Sequence, residues 1–127
     1  MKLVRNQGIY WDFIRDLRDH PEVKGGFISQ KDISAKEHYR FMEKHELNYY
    51  VCLVDDNPAG FVGVISGDIR VATHPDYQGM GVGKFMINEL MKIYPKSYAK
   101  IKLNNKASIR LFETCGFKKK YYILERE

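Results

Sequence analysis

The chain is poor in the residues that build metal centres, disulfide frameworks and membrane spans. Its two cysteines, Cys52 and Cys115, stand far apart and outside any metal-ligand spacing. No stretch approaches the roughly 18 apolar residues of a membrane helix. The first residues, Met1-Lys2-Leu3-Val4-Arg5, lack the apolar core of a secretory leader. His38 and His45 share a helical stripe, but neither a His-Glu-x-x-His arrangement nor a third ligand accompanies them. One histidine is expected at a pocket wall and the other in ordinary packing. Low-complexity tracts and internal repeats are absent as well. These absences lead to the expectation of a cytoplasmic protein with reduced thiols, no metal and no membrane partner.

What is present suffices for one core. The 127 residues are 44% hydrophobic and 13% aromatic, so residues 1–127 are read as a single domain. The formal charge of +5 suits either nucleic acid or a polyanionic small molecule. The basic residues form no run and match no nucleic-acid motif, which disfavours the first.

Periodicity sets the order of elements. Residues 2–5 read as a strand. Tyr10, Phe13, Ile14 and Leu17 mark one helical face, with Arg15, Asp16, Arg18 and Asp19 on the other. His20-Pro21 ends that helix. Ser34 and Glu37 form a capping box before a second helix that carries His38, Phe41, Met42 and His45. Residues 48–54, 59–66 and 68–74 read as an antiparallel meander, with Asp55-Asp56-Asn57-Pro58 as its first turn. A helix follows to residue 94, then a strand over 97–103. The single helical crossover makes that strand a parallel neighbour of 68–74. Asn105 caps a helix over 106–115 that ends at Gly116, and residues 118–125 read as the last strand.

The most specific stretch is 71–84, Val-Ala-Thr-His-Pro-Asp-Tyr-Gln-Gly-Met-Gly-Val-Gly-Lys. A strand runs into three alternating glycines, Gly79, Gly81 and Gly83, and then into a helix. Glycines there let successive N–H groups face one ligand, and the helix adds its unpaired N–H groups, so the stretch is an anion cradle. It is not the nucleoside-triphosphate loop, because Gln78 and Phe85 stand where that loop needs Gly and Ser/Thr. It is not the dinucleotide loop, whose third glycine would fall on Lys84 or Met86.

What remains, Gln78-x-x-Gly81-x-Gly83, resembles the pyrophosphate loop of the GNAT superfamily of N-acetyltransferases. The segment 105–117, Asn-Lys-Ala-Ser-Ile-Arg-Leu-Phe-Glu-Thr-Cys-Gly-Phe, is similar to the segment that closes the same fold. Segments 17–23 and 33–41 resemble members that acetylate amino groups of nucleotide-linked sugars. The resemblance implies an α/β (α+β) GNAT fold, a mixed twisted sheet of about six strands flanked by about four helices. It implies acetyl-CoA as co-substrate and direct attack by a primary amine. The acceptor is left open: an amino-sugar nucleotide, another small amine, or a protein or peptide amine. A protein that binds acyl-CoA without turnover is the alternative.

The resemblance also assigns residues. The N–H groups of Ile69, Val71 and Thr73 would meet the pantetheine arm, with Val71 polarising the thioester carbonyl. Gln78, Gly79, Met80, Gly81, Val82, Gly83 and Lys84 would hold the pyrophosphate. Asn105 would contact the arm or only cap its helix, and Ser108 and Phe112 would border it. Asp68, His38 and Tyr98 are the candidates for the base. Ile65 stands where several members carry a glutamate, and Phe112 where many carry a tyrosine acid. Trp11, Phe27, His38, Tyr39, Tyr121 and Tyr122 would border the acceptor. The short chain points to an open acceptor site or one completed in a homodimer.

Overall fold

The computed structural model describes residues 1–29 and 32–126. Four strands, β1 (Lys2–Arg5), β2 (Tyr49–Val54), β3 (Asn57–Ile65) and β4 (Asp68–Thr73), form an antiparallel sheet in that order. Two tight hairpins set the register. Asp55 and Asp56 take φ of 49° and 65°, and Ser66 and Gly67 take 51° and 82°, the left-handed conformations that two-residue hairpins need. The first turn is therefore shorter than the sequence suggests, and Asn57 and Pro58 enter β3. A bulge between Cys52 and Leu53 faces Pro58, which has no N–H to give to the ladder.

Both faces of the sheet are covered. On one lie α1 (Gly8–Asp19), the short α2 (Pro21–Lys24) and α3 (Ala35–His45); on the other lie α4 (Val82–Ile93) and α5 (Lys106–Thr114). Side chains of a strand alternate between faces, and the two cores follow that alternation. Tyr49, Val51, Leu53, Phe61 and Ala72 pack with Ile14, Leu17 and Met42. Tyr50, Cys52, Val62, Val64 and Ile69 pack with Val82, Met86, Leu90 and Phe112. The continuous apolar run of β3 is explained by this burial on two sides. After the break at His20-Pro21 the chain makes the brief α2; Pro21 opens it, and the His20 ring accepts the Glu22 N–H at 3.1 Å.

The strand count differs from the expected six. Residues 97–103 make a single parallel bridge, Asp68 to Tyr98. There the Ile69 N–H reaches the Tyr98 carbonyl at 2.8 Å and the Tyr98 N–H reaches Gly67 at 2.8 Å. Beyond Tyr98 the segment leaves β4. Residues 118–126 form no strand, and Tyr121, Tyr122 and Leu124 are exposed. A lone strand without a partner edge has no ladder to stabilise it, and the parting after Tyr98 removes the edge that this segment would use. Among the described residues no helix is long and apolar enough to cross a membrane.

Candidate active site

The parting of β4 from residues 99–101 opens a cavity of about 1100 Å³, walled by Val71, Thr73, Ala99 and Ile101. Two hydrogen bonds fix which backbone groups face it. The Ile69 N–H points away from β3, to Tyr98, while the His74 N–H points to Ala59 on β3 at 2.8 Å. Backbone direction alternates along a strand, so the N–H groups of Val71 and Thr73 point with that of Ile69, into the gap. Ile69 has spent its N–H on Tyr98; Val71 and Thr73 lie past the last bridge.

The gap leads to the start of α4. Gly81 is its N-cap with φ of 79°, no side chain caps the helix, and its first turn holds no acid. Two other helices that line the site are capped: Ser34 and Glu37 cap α3 with a full box, and Asn105 caps α5 through the Ser108 N–H at 3.2 Å. A helix start with free N–H groups and no carboxylate attracts anions. Gln78, Gly79, Gly81, Val82, Gly83 and Lys84 line the cavity, with Lys84 exposed. Val82 turns its side chain into the core at 1% exposure, and Met80 lies outside the lining at 49%. Leu111 of α5 sits where a Cβ on Gly83 would be, 2.9 Å away, which draws α5 against the loop.

Across the mouth, Lys102 donates to the Gly25 carbonyl at 3.0 Å and Asn105 to that of Gly26 at 3.4 Å. The loop after α2 is thereby tied to the segment before α5. Asn105 is engaged on both sides, as cap and as tie. Ser108 and Phe112 line the cavity floor, Phe112 at 4% exposure and edge-on to Phe117. Cys115 is partly buried, and burial pushes its thiol above the ordinary range, which keeps it protonated.

The other end of the cavity is made of side chains on the α1–α3 face. Tyr49, Gly63 and Arg70 stand in one row across β2, β3 and β4. A Cβ on Gly63 would lie 2.6 Å from the Tyr49 ring, so the ring crosses β3 in a slot that only glycine leaves. Burial raises its pKa above the ordinary value, and the Arg70 guanidinium beside its hydroxyl opposes that rise. The Arg70 Nε also pairs with Asp68 Oδ2 at 3.4 Å. Asp68 Oδ1 is buried with no hydrogen-bond partner among the described residues.

The three candidate bases separate. Asp68 and His38 line the cavity; Tyr98 does not. Tyr98 is 45% exposed, its ring over Gly67 and its hydroxyl toward the Ser66 carbonyl. His38 is 1% exposed, and its Nε2 lies 2.7 Å from the Trp11 carbonyl. A carbonyl only accepts, so Nε2 carries the proton and Nδ1 the lone pair. Burial pushes its pKa down, Arg15 and Arg18 add to this, and the Trp11 bond opposes it.

Of the expected acceptor-bordering aromatics, Phe27 lines the cavity with His38, while Trp11, Tyr39, Tyr121 and Tyr122 do not. Tyr39 is hydrogen-bonded to Asp12 outside it. Sequence reasoning missed Arg18, Tyr49 and Arg70. Arg18 was placed on the outer face, yet four residues after Ile14 it stands about 40° from it around the helix, and both line the cavity.

A sheet covered by helices on both faces, with a parted edge and an open glycine-rich helix start, defines a class of α/β domain with an anion site at the end of an extended cleft. The family comparison is more specific: residues 9–117 match the model of the acetyltransferase (GNAT) family, and the chain belongs to that family. No curated protein is similar enough in sequence to count as a match. Among solved structures, spermidine N-acetyltransferase from Vibrio cholerae, in complex with CoA and spermine, has a TM-score of 0.84 at 19% identity, over 98% of this chain and 85% of that one. Ribosomal-protein-alanine N-acetyltransferase from Brucella melitensis has 0.78 at 15% identity, over 93% and 85%. An N-acetyltransferase from Staphylococcus aureus Mu50 has 0.76 at 17%, over 92% and 82%. These likenesses establish the fold.

Proposed function

We propose that this acetyltransferase moves an acetyl group from acetyl-CoA to a primary amine by direct attack in a ternary complex. The observation that carries the reading is the gap beside β4 running into an uncapped α4. An acyl-CoA needs backbone donors along an extended arm and a polyanion site at its end, and the two features lie in line. Acetyl-CoA supplies the activated acetyl group as a thioester. In this reading the Val71 N–H points at the carbonyl oxygen, where one donor to a developing oxyanion is worth about 3 kcal/mol. Thr73 holds the arm, and residues 78–84 hold the pyrophosphate. Ile69 contributes its position in the strand, its N–H being taken by Tyr98.

A primary amine, with a pKa near 10.4, must lose a proton before attack. Asp68 is our assignment for the base, because its free buried oxygen has no other partner. Val71 lies three residues further along β4, roughly 10 Å, so Asp68 takes the proton through water. Phe112 has no proton to give, and a thiol of pKa near 8.5 leaves as thiolate without one. The acceptor is a small amine, with an amino-sugar nucleotide among the compounds to be tried. A homodimer is the assembly we would look for, since residues 118–126 are exposed; light scattering would measure it.

Thiol release with a panel of amines tests the reaction. Asp68→Asn should lower kcat by about 10²–10⁴-fold with acetyl-CoA affinity kept. If CoA binds and no amine ever releases thiol, the chain is an acyl-CoA-binding protein without turnover.

A further inference from the structure

The acceptor end of the cavity has a charge pattern that the acetyl-transfer reading does not use. Arg18, Arg70 and Lys100 line it together with Asp68 and Glu22. Asp68 and Arg70 are paired with each other. That leaves two cations, Arg18 and Lys100, against one exposed carboxylate, Glu22. Arg18 is half-buried and makes no ion pair among the described residues. Its charge is felt at both Tyr49 and His38, which line the same cavity. Arg70 turns its Nε to Asp68 and keeps its side chain 37% exposed to the cavity. Tyr49, its ring over Gly63, stands beside Arg70 in the same cross-strand row. Arg70 directly precedes Val71, so a group bound there lies next to the acetyl-transfer point.

We propose that Arg18 and Arg70, with the Tyr49 hydroxyl, form an anion subsite, and that the acceptor is an amine bearing a carboxylate or phosphate close to its amino group. The subsite rests on the acetyltransferase reading for its amine and extends it. Guanidinium forks suit both anions, since each offers paired oxygens. The buried Asp68 Oδ1 faces the amine through water at the same time, so the site has a place for each charge of such an acceptor. A polyamine meets the opposite arrangement. It carries several positive charges and no negative one, and it would face Arg18, Arg70 and Lys100 with too few carboxylates to balance them.

The test compares matched amines: phosphoethanolamine and β-alanine against ethanolamine, glucosamine 6-phosphate against glucosamine, and spermidine. Each is titrated calorimetrically into CoA-saturated protein and assayed for thiol release with acetyl-CoA. The anionic amines should bind about ten- to a hundredfold more tightly than their neutral partners. Arg18→Gln should collapse that ratio without changing acetyl-CoA affinity, and Arg18→Lys should restore part of it. The phosphate and carboxylate arms tell which anion is preferred. Equal binding of anionic and neutral amines, failure of every anionic amine to bind, preference for spermidine, or a ratio untouched by Arg18→Gln would each overturn the subsite. Binding without thiol release would remove the acetyltransferase reading and leave the subsite supported, so the two failures are distinguishable.

Discussion

The two ends of the cavity are built in opposite ways. One end is backbone: the outward N–H groups of β4 and the open start of α4, drawn from a continuous stretch of chain. The other is side chain: Arg18 from α1, Tyr49 from β2, and Asp68 and Arg70 from β4, brought together by sheet register and a missing Cβ at Gly63. A backbone site constrains which residues can adopt its conformation and says little about their chemistry. A side-chain site constrains chemistry and leaves its members scattered. The first kind suits a ligand part that never varies; the second can be retuned for a different acceptor without disturbing the first.

The largest effect should come from placing a charge in the backbone end. At Gly81 a Cβ would meet nothing within 4 Å, but its φ is 79°. A valine there is therefore strained by its backbone, not by crowding, and would confound stability with binding. Aspartate tolerates this conformation far better. Gly81→Asp should keep the fold and lower CoA affinity on the order of 100-fold, by setting a carboxylate against the phosphates. Calorimetry of CoA beside a thermal melt checks this; unchanged affinity would move the cradle elsewhere.

The second variant breaks the other end alone. Gly63→Ala puts a methyl group 2.6 Å from the Tyr49 ring. Overpacking of this kind costs about 1–3 kcal/mol, visible as a lower denaturation midpoint. Acceptor affinity should fall with it, while CoA affinity stays. Loss of both would mean that the ends are mechanically coupled.

The contrast also explains what could be read from the sequence. Gln78 to Lys84 stood out because left-handed and uncapped backbone demands glycine, and the demand is contiguous. The capping box at Ser34 and the cap at Asn105 were legible for the same local reason. Gly63 carries no signal of its own in the sequence; only the register that sets it between Tyr49 and Arg70 makes it a slot. Arg18 was assigned outward because a polar residue at the edge of an amphipathic face is ambiguous until its neighbours are known. Residues 97–103 and 118–125 have strand character, but β propensity cannot tell whether a partner edge exists. The parting after Tyr98 is tertiary, and it decided both segments.

A smaller step separates the Tyr49 ring from its hydroxyl. Tyr49→Phe keeps the slot filled and removes the hydroxyl that stands beside Arg70. Stability should fall by about 1 kcal/mol. The acceptor KM should rise several-fold, with the KM for acetyl-CoA unmoved. If Tyr49→Phe behaved like Gly63→Ala, the ring alone would account for the row.

The smallest effect concerns pH and belongs to the side-chain end. His38 is 1% exposed, and burial first of all, then Arg15 and Arg18, holds its pKa below the ordinary 6.5. The unfolded chain takes up that proton near pH 6.5 while the folded chain resists it. Between the two values the unfolded state binds more protons, so stability falls as pH drops, by at most about 1.4 kcal/mol per pH unit. Above pH 6.5 the contribution is complete; below the folded value the loss stops growing. His38→Gln removes the titration and can still donate to the Trp11 carbonyl. Urea midpoints at pH 7.5 and 5.5 should therefore differ less in His38→Gln than in the parent. Equal differences would mean that His38 reaches water on protonation, and that the acceptor end opens more readily than its packing implies.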